Sequence, residues 1–299
     1  MRKQTIIGIV TMGLALGTVG AVGAGALGGT AASADRAAVG TRSAAGAFGS
    51  SGPRAVGLTF DQRLVAFRTD QPGKAVVLGK VDGLQGDTSL IGIDYRVQDK
   101  KLYAVGDRGG VYTVREAGAR AEKVSQLTVA LQGQSFGVDF NPAANRLRVI
   151  SDTGQNLRHN IDDAAGAPAA GTTAADGTLT NPTPPGGTAL GVTGAAYTNN
   201  DLDAATGTTL FDLDTSADQI AIQSPANNGS LAPTGKLGVD AGAASGFDIL
   251  SSGRSGINTG YAVTRNSVFR VDLLTGKASS LGSLPEGRQV VDLALPLNQ

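Results

Sequence analysis

GIDYRVQDKKLYAVGDRGGVYTV, residues 92–114, packs three short apolar runs and two turns into 23 residues. Gly92-Ile93-Asp94-Tyr95 opens it, Leu102-Tyr103-Ala104-Val105 follows, and Val111-Tyr112-Thr113-Val114 comes after the turn at Asp107 to Gly110. β-Branched and aromatic residues in runs this short, bounded by Gly, Asp and Lys, are strand material and leave no helical face to bury. The opening Gly-apolar-Asp-apolar recurs at Gly137-Val138-Asp139-Phe140 and Gly246-Phe247-Asp248-Ile249. Gly194-Ala195-Ala196-Tyr197 is a variant of it, and Val290-Val291-Asp292-Leu293 closes the series. The intervals are 45, 57, 52 and 44 residues.

Each opening leads into a second run, a tight turn, a third run and then a fourth, as in Tyr261 to Val263, Val268 to Asp272 and Ala278 to Leu281. A four-stranded unit repeating at this interval marks a β-propeller blade, whose sheet buries both faces only when neighbours stack on it. Residues 55–84 hold a second, third and fourth strand with no first, and residues 290–297 a first strand with nothing after it. Joined, they make one blade from both termini and leave no free edge. The expectation is an all-β chain: a propeller of five four-stranded blades, with six blades or a β-sandwich as the alternatives.

Composition narrows the chemistry. The 299-residue chain has no cysteine and one histidine, so disulfides, thiolate nucleophiles, Cys-ligated metals and histidine-rich metal sites are excluded. Residues 1–34 read as a cleaved secretory signal, with Arg2 and Lys3 before an apolar stretch and Ala32-Ser33-Ala34 as the cleavage site. Residues 35–54, rich in Ala, Gly and Ser, read as a flexible linker to a propeller domain at 55–299. Cleavage after Ala34 gives a secreted, extracellular chain with no stable membrane span. It also removes two of the 25 basic residues and none of the 25 acidic ones, a net of about −2 that offers nucleic acid no basic field.

The stretch Asp139-Phe140-Asn141-Pro142, with Arg146 to Arg158 beyond it, resembles the bacterial secreted family known as domain of unknown function 4394. Ala196 to Asn199, Thr209 to Asp214, Ser224 to Leu231 and Gly246 to Ile249 carry the rest of the resemblance, over roughly residues 55–297. It departs at Asn145, where an acidic residue is expected, and at Ala226, where a second proline is. The resemblance implies a secreted, propeller-like repeat domain and transfers no catalytic residue.

Candidate sites follow from the repeat. Asp94, Asp139, Asp248 and Asp292 hold one position in the innermost strands, so pseudo-symmetry brings them to a similar radius. Four such charges must be paired, protonated or bridged by a cation, which makes Ca²⁺ the one cofactor the sequence suggests. The alternative, favoured here, is that each carboxylate accepts backbone N–H groups of its own or a neighbouring blade. Asn199 to Asp203 lacks the spacing of a calcium loop and reads as a hydrated hairpin. Residues 166–187 read as a long insertion.

The segment LRVISDTGQNLRHNID, residues 147–162, aligns Arg148 with Tyr103 and, allowing one extra turn residue, Arg158 with Tyr112. Arginines there need partners, with Asp152, Asp162, Asp163 and backbone carbonyls in reach along the chain. Either Arg148, Arg158, His159, Gln155 and Asn156, with Asn160, line a groove for a carbohydrate, an anionic small molecule or a protein, or they form a network locking this blade to the next. No Gly-x-Ser-x-Gly elbow accompanies His159, and the three glutamates lie outside the inner strands, so no catalytic residue is assigned. A binding or interaction module is the leading reading; an extracytoplasmic hydrolase using axial aspartates and a structural envelope protein are the others.

Overall fold

The computed structural model describes residues 52–182, 186–203, 205–252 and 256–297. The segments read as signal and linker lie outside the described residues up to position 51, and the first strand begins at Arg54, one residue inside the expected linker.

Twenty strands follow in order. Blade I takes β1 (Arg54–Thr59), β2 (Arg63–Arg68) and β3 (Val76–Lys80). Blade II is β4 (Leu90–Tyr95), β5 (Leu102–Gly106), β6 (Gly110–Arg115) and β7 (Arg120–Gln126). Blade III is β8 (Phe136–Asn141), β9 (Arg146–Ser151), β10 (Asn156–His159) and β11 (Thr173–Ala175). Blade IV is β12 (Val192–Tyr197), β13 (Leu210–Asp214), β14 (Gln219–Gln223) and β15 (Leu231–Lys236). Blade V is β16 (Ser245–Ser251), β17 (Asn258–Thr264), β18 (Ser267–Val271) and β19 (Ala278–Ser283), and β20 (Val290–Ala294) returns to pair with β1. These are five four-stranded antiparallel sheets. Their inner strands pack in the cycle β20, β4, β8, β12, β16 and back to β20, so the chain is a five-bladed β-propeller closed by its own termini.

The alternation seen in the sequence becomes two buried faces per blade. Leu102, Ala104, Tyr112 and Val114 join the apolar cluster between blades I and II, while Tyr103, Val105 and Val111 join the one between II and III. Further clusters fill the other three seams. The glycine of the repeated opening has a steric cause. A Cβ on Gly137 would stand 2.5 Å from the Ala195 nitrogen, and one on Gly246 2.6 Å from the Leu293 nitrogen. Inner strands approach too closely there for any side chain.

The aspartate of the opening is a latch between blades. Asp94 Oδ2 accepts the Phe140 N–H at 2.8 Å, and Asp139 Oδ1 accepts that of Tyr197 at 3.1 Å. Asp248 Oδ2 accepts Leu295 N–H at 2.5 Å, and Asp292 Oδ2 accepts Ile93 N–H at 2.7 Å. Blade IV, with Ala196 at this position, is joined to blade V lower down, where the Asn199 N–H reaches Ser251 Oγ at 2.7 Å.

Candidate functional site

The expected alignment of blade III is off by one residue. Arg148 pairs with Asp139 and Arg158, just as Tyr103 pairs with Asp94 and Thr113. Val105 pairs with Val111 and Ile150 with Asn156, so the two hairpins have the same length and no extra turn residue exists. Arg158 therefore answers to Thr113. Tyr112 lies on the opposite face, opposite Ala104, and only Arg148 stands where blade II has an aromatic.

The arginines' partners also differ from those nearest in sequence. Asp176, supplied by the 166–187 insertion, accepts Arg148 Nη1 at 2.8 Å and Arg158 Nε at 3.0 Å. That insertion is built into the blade: it contributes β11 as the fourth strand. Asp162 pairs instead with Arg96, Asp163 with Arg146, and Asp152 accepts the Gln134 N–H. Arg148 further donates to Asn156 Oδ1 at 2.7 Å, to Asn227 Oδ1 at 2.8 Å and to the Tyr197 hydroxyl at 3.3 Å. Burial works against its charge, but Tyr197 and Asp176 hold the guanidinium above its ordinary pKa. Asn227 and Tyr197 belong to blade IV, so this cluster ties blade III to its neighbour.

The other residues singled out in this stretch are also engaged. The Gln155 side chain accepts the Gln132 N–H and donates to the Ala130 carbonyl. Asn160 caps the loop at Asp163 and Pro168. His159 is fully buried, with Nε2 at 2.8 Å from Ser125 Oγ and Nδ1 at 3.0 Å from Thr173 Oγ1. Burial lowers its pKa to about 4, so the ring is neutral. A hydroxyl occupies the place where a Ser-His-Asp arrangement has its carboxylate.

At the axis the repeat does bring acids together. One carboxylate oxygen from each of Asp94, Asp139 and Asp248 lies within 4.8 Å of the others. Asp292 stands apart from this trio and accepts the Ile93 and Leu293 N–H groups. Burial first, and mutual repulsion second, push Asp94 and Asp139 well above the usual carboxylate range, and burial pushes Asp248 up to about 7. The trio borders a cavity of about 20 Å³, walled also by Tyr197, Asn199 and Leu297 at the ends of the inner strands. Such a space holds one water or one ion.

A larger recess was invisible in the sequence. Between blades IV and V a cleft of about 790 Å³ opens beside the β12–β13 connection. Thr198, Thr209, Phe211, Asn258 and Leu273 line it, with Ile257 62% and Leu274 76% exposed on its walls. The lining comes from three separate connections and the strands beside them on two blades, none of which carries a motif. Exposed aliphatics in turns were the one available signal.

Fold and recesses together define a repeat protein of the propeller class with a packed axis, packed seams and a cleft between blades IV and V. The chain belongs to the family described as domain of unknown function (DUF4394), which matches residues 63–294. No curated protein matches it significantly. Among solved structures it is similar to a chain of a nidogen/laminin complex, at 12% identity and a TM-score of 0.47, over 83% of this chain and 99% of that one. A Bacteroides thetaiotaomicron protein of unknown function is similar at 13% identity and a TM-score of 0.44, over 82% of this chain and 65% of that one. An auxiliary nutrient binding protein from Bacteroides ovatus follows at 11% identity and a TM-score of 0.40, over 69% and 55%. The fold rests on the closed ring of sheets itself.

Proposed function

We propose that the chain is a secreted binding or interaction module, delivered by the segment 1–34, with its ligand seated between blades IV and V. The cleft of about 790 Å³ carries this reading. Its volume falls in the range of ligand sites, and Ile257 and Leu274 expose aliphatic surface beside hydroxyl and amide groups that fix orientation. The secretory reading rests on the sequence of residues 1–34; among the described residues no helix is long and apolar enough to cross a membrane. Hydrolysis by the axial aspartates gains no support, because a cavity of about 20 Å³ admits no substrate. A thermal-shift panel of glycans, peptides and organic anions, run on the mature chain and on an Ile257→Ser/Leu274→Ser variant, tests the proposal. A shift in the mature chain that the variant loses supports it; no shift with any member counts against it.

A second reading is favoured by the axial trio: the oxygens of Asp94, Asp139 and Asp248 suit a hard cation such as Ca²⁺, bound for structure rather than catalysis. The competing role, acceptance of backbone N–H groups, already accounts for one oxygen each of Asp94 and Asp139 and for both oxygens of Asp248. Calorimetric titration with Ca²⁺ and Mg²⁺ separates them, since heat absent from both leaves only the latch.

A further inference from the structure

Phe60 is the sole exposed aromatic among the described residues. Its side chain is 73% accessible, while every described Tyr and every other described Phe is at most 9% accessible. It stands in the turn between β1 and β2, where a polar residue would avoid showing a phenyl ring to water. That turn is rigid. Thr59 Oγ1 donates to Asp61 Oδ1 at 2.6 Å, Arg63 Nε donates to Asp61 Oδ2 at 2.8 Å, and Phe60 N–H donates to the Gln289 carbonyl at 2.8 Å. Gln62 is clipped to Leu90 through both its side-chain oxygen and nitrogen.

The ring borders a recess of about 370 Å³ where blade I meets blade V, at the end of the propeller opposite the axial cavity. The recess exists because the ring closes there: the β1–β2 turn comes from the N-terminal side of the domain and the 284–289 connection from its C-terminal side. Besides Phe60 its walls are planar and polar. Glu286, Arg288 and Gln289 line it, and among the described residues their side chains have no hydrogen-bond or ion-pair partner. Arg265, paired with Asp240, and Asn266 complete it with Asp61.

The chemistry of this set is selective. Asp61 and Glu286 balance Arg265 and Arg288, so the recess has no excess charge to favour an ion of either sign. A carboxylate, a guanidinium and amides side by side offer both donors and acceptors, as vicinal hydroxyls require, each being both at once. A flat apolar face pre-set by a rigid turn matches the C–H face of a pyranose and gives up little freedom on contact. We infer that this recess binds a neutral saccharide, one ring of a glycan stacking on Phe60 while Glu286, Arg288 and Gln289 take its hydroxyls. The site is independent of the cleft between blades IV and V.

The chain has no tryptophan, so Phe60→Trp creates a single fluorescent reporter at the stacking position. Titration of this variant with neutral, N-acetylated and uronic oligosaccharides is expected to give a saturable emission shift with at least one neutral or N-acetylated sugar. The half-point is expected at about 1 mM, suited to one stacked ring and a few exposed hydrogen bonds. Glu286→Ala and Arg288→Ala, made in the reporter, should weaken it tenfold or more, and Val124→Ser on a distant strand should not. In the protein with its native Phe60, sugar-induced shifts of backbone amides at 60–62 and 286–289 should vanish with Phe60→Ala, whose folding an exposed side chain does not govern. A flat response to every sugar, a response only to uronic acids, or one unchanged by Glu286→Ala and Arg288→Ala would overturn the inference.

Discussion

Arg148 is 2% exposed and donates to Tyr197, Asn156, Asp176 and Asn227, which together span two blades. Replacing it by methionine removes the donor from Tyr197, Asn156 and Asn227, leaves Asp176 with Arg158 alone, and takes the stabilising cation from the buried Asp212. Loss of one partner from such a network costs about 3–5 kcal/mol, so Arg148→Met is expected to lower urea stability by that much while leaving ligand binding in the IV–V cleft intact. A variant of wild-type stability would remove Arg148 from the blade lock. His159 sets an acid limit. Its folded pKa near 4 lies below the unfolded value of 6.5. The unfolded chain therefore takes up a proton that the folded chain refuses, and stability is lost as pH falls from about 6.5 to 4, by up to about 3 kcal/mol. His159→Asn should abolish that slope when unfolding free energies are compared across the window.

At the scale of elements, the Gly-apolar-Asp-apolar opening combines two requirements, close approach at the glycine and a latch at the aspartate. Gly137→Ala would force a methyl to within 2.5 Å of the blade IV backbone, for an expected loss of about 1–3 kcal/mol in denaturant unfolding. The axial acids act opposite to His159. With folded pKa values raised above the unfolded ones, they hold protons that the unfolded chain releases, so stability declines as pH rises from about 4 through about 7 for Asp248. Asp248→Asn should therefore gain on the unsubstituted protein at pH 8 relative to pH 5, a difference readable as midpoints in urea.

The opening was legible because glycine, aspartate and the spacing repeat. Register within blade III was not. A shift of one residue moves a side chain to the other face of the sheet, and nothing local distinguishes Arg158 as the equivalent of Thr113 from Arg158 as the equivalent of Tyr112. Asp176 escaped for a related reason, since it comes from an insertion and meets the arginines only through the tertiary fold. Phe60 left one trace, an aromatic in a turn, and a single residue has no period to reveal it.

The whole molecule depends on closure. β20 supplies the inner strand of blade I, carries Asp292 to the Ile93 N–H and follows directly on Gln289 in the wall of the recess beside Phe60. Truncation after Arg288 should expose an edge and two apolar seams, replacing one cooperative urea transition by a broad one with early proteolysis. In the proposed function, a closed, packed propeller holds its ligand in the cleft between blades IV and V. Thermal unfolding of residues 35–299 against the panel of glycans, peptides and organic anions decides whether it does. A ligand at 100 times its dissociation constant is expected to raise the midpoint by about 5–10 °C, and Ile257→Ser/Leu274→Ser to erase the shift. No shift with any ligand, or one that survives in the double variant, would contradict the claim.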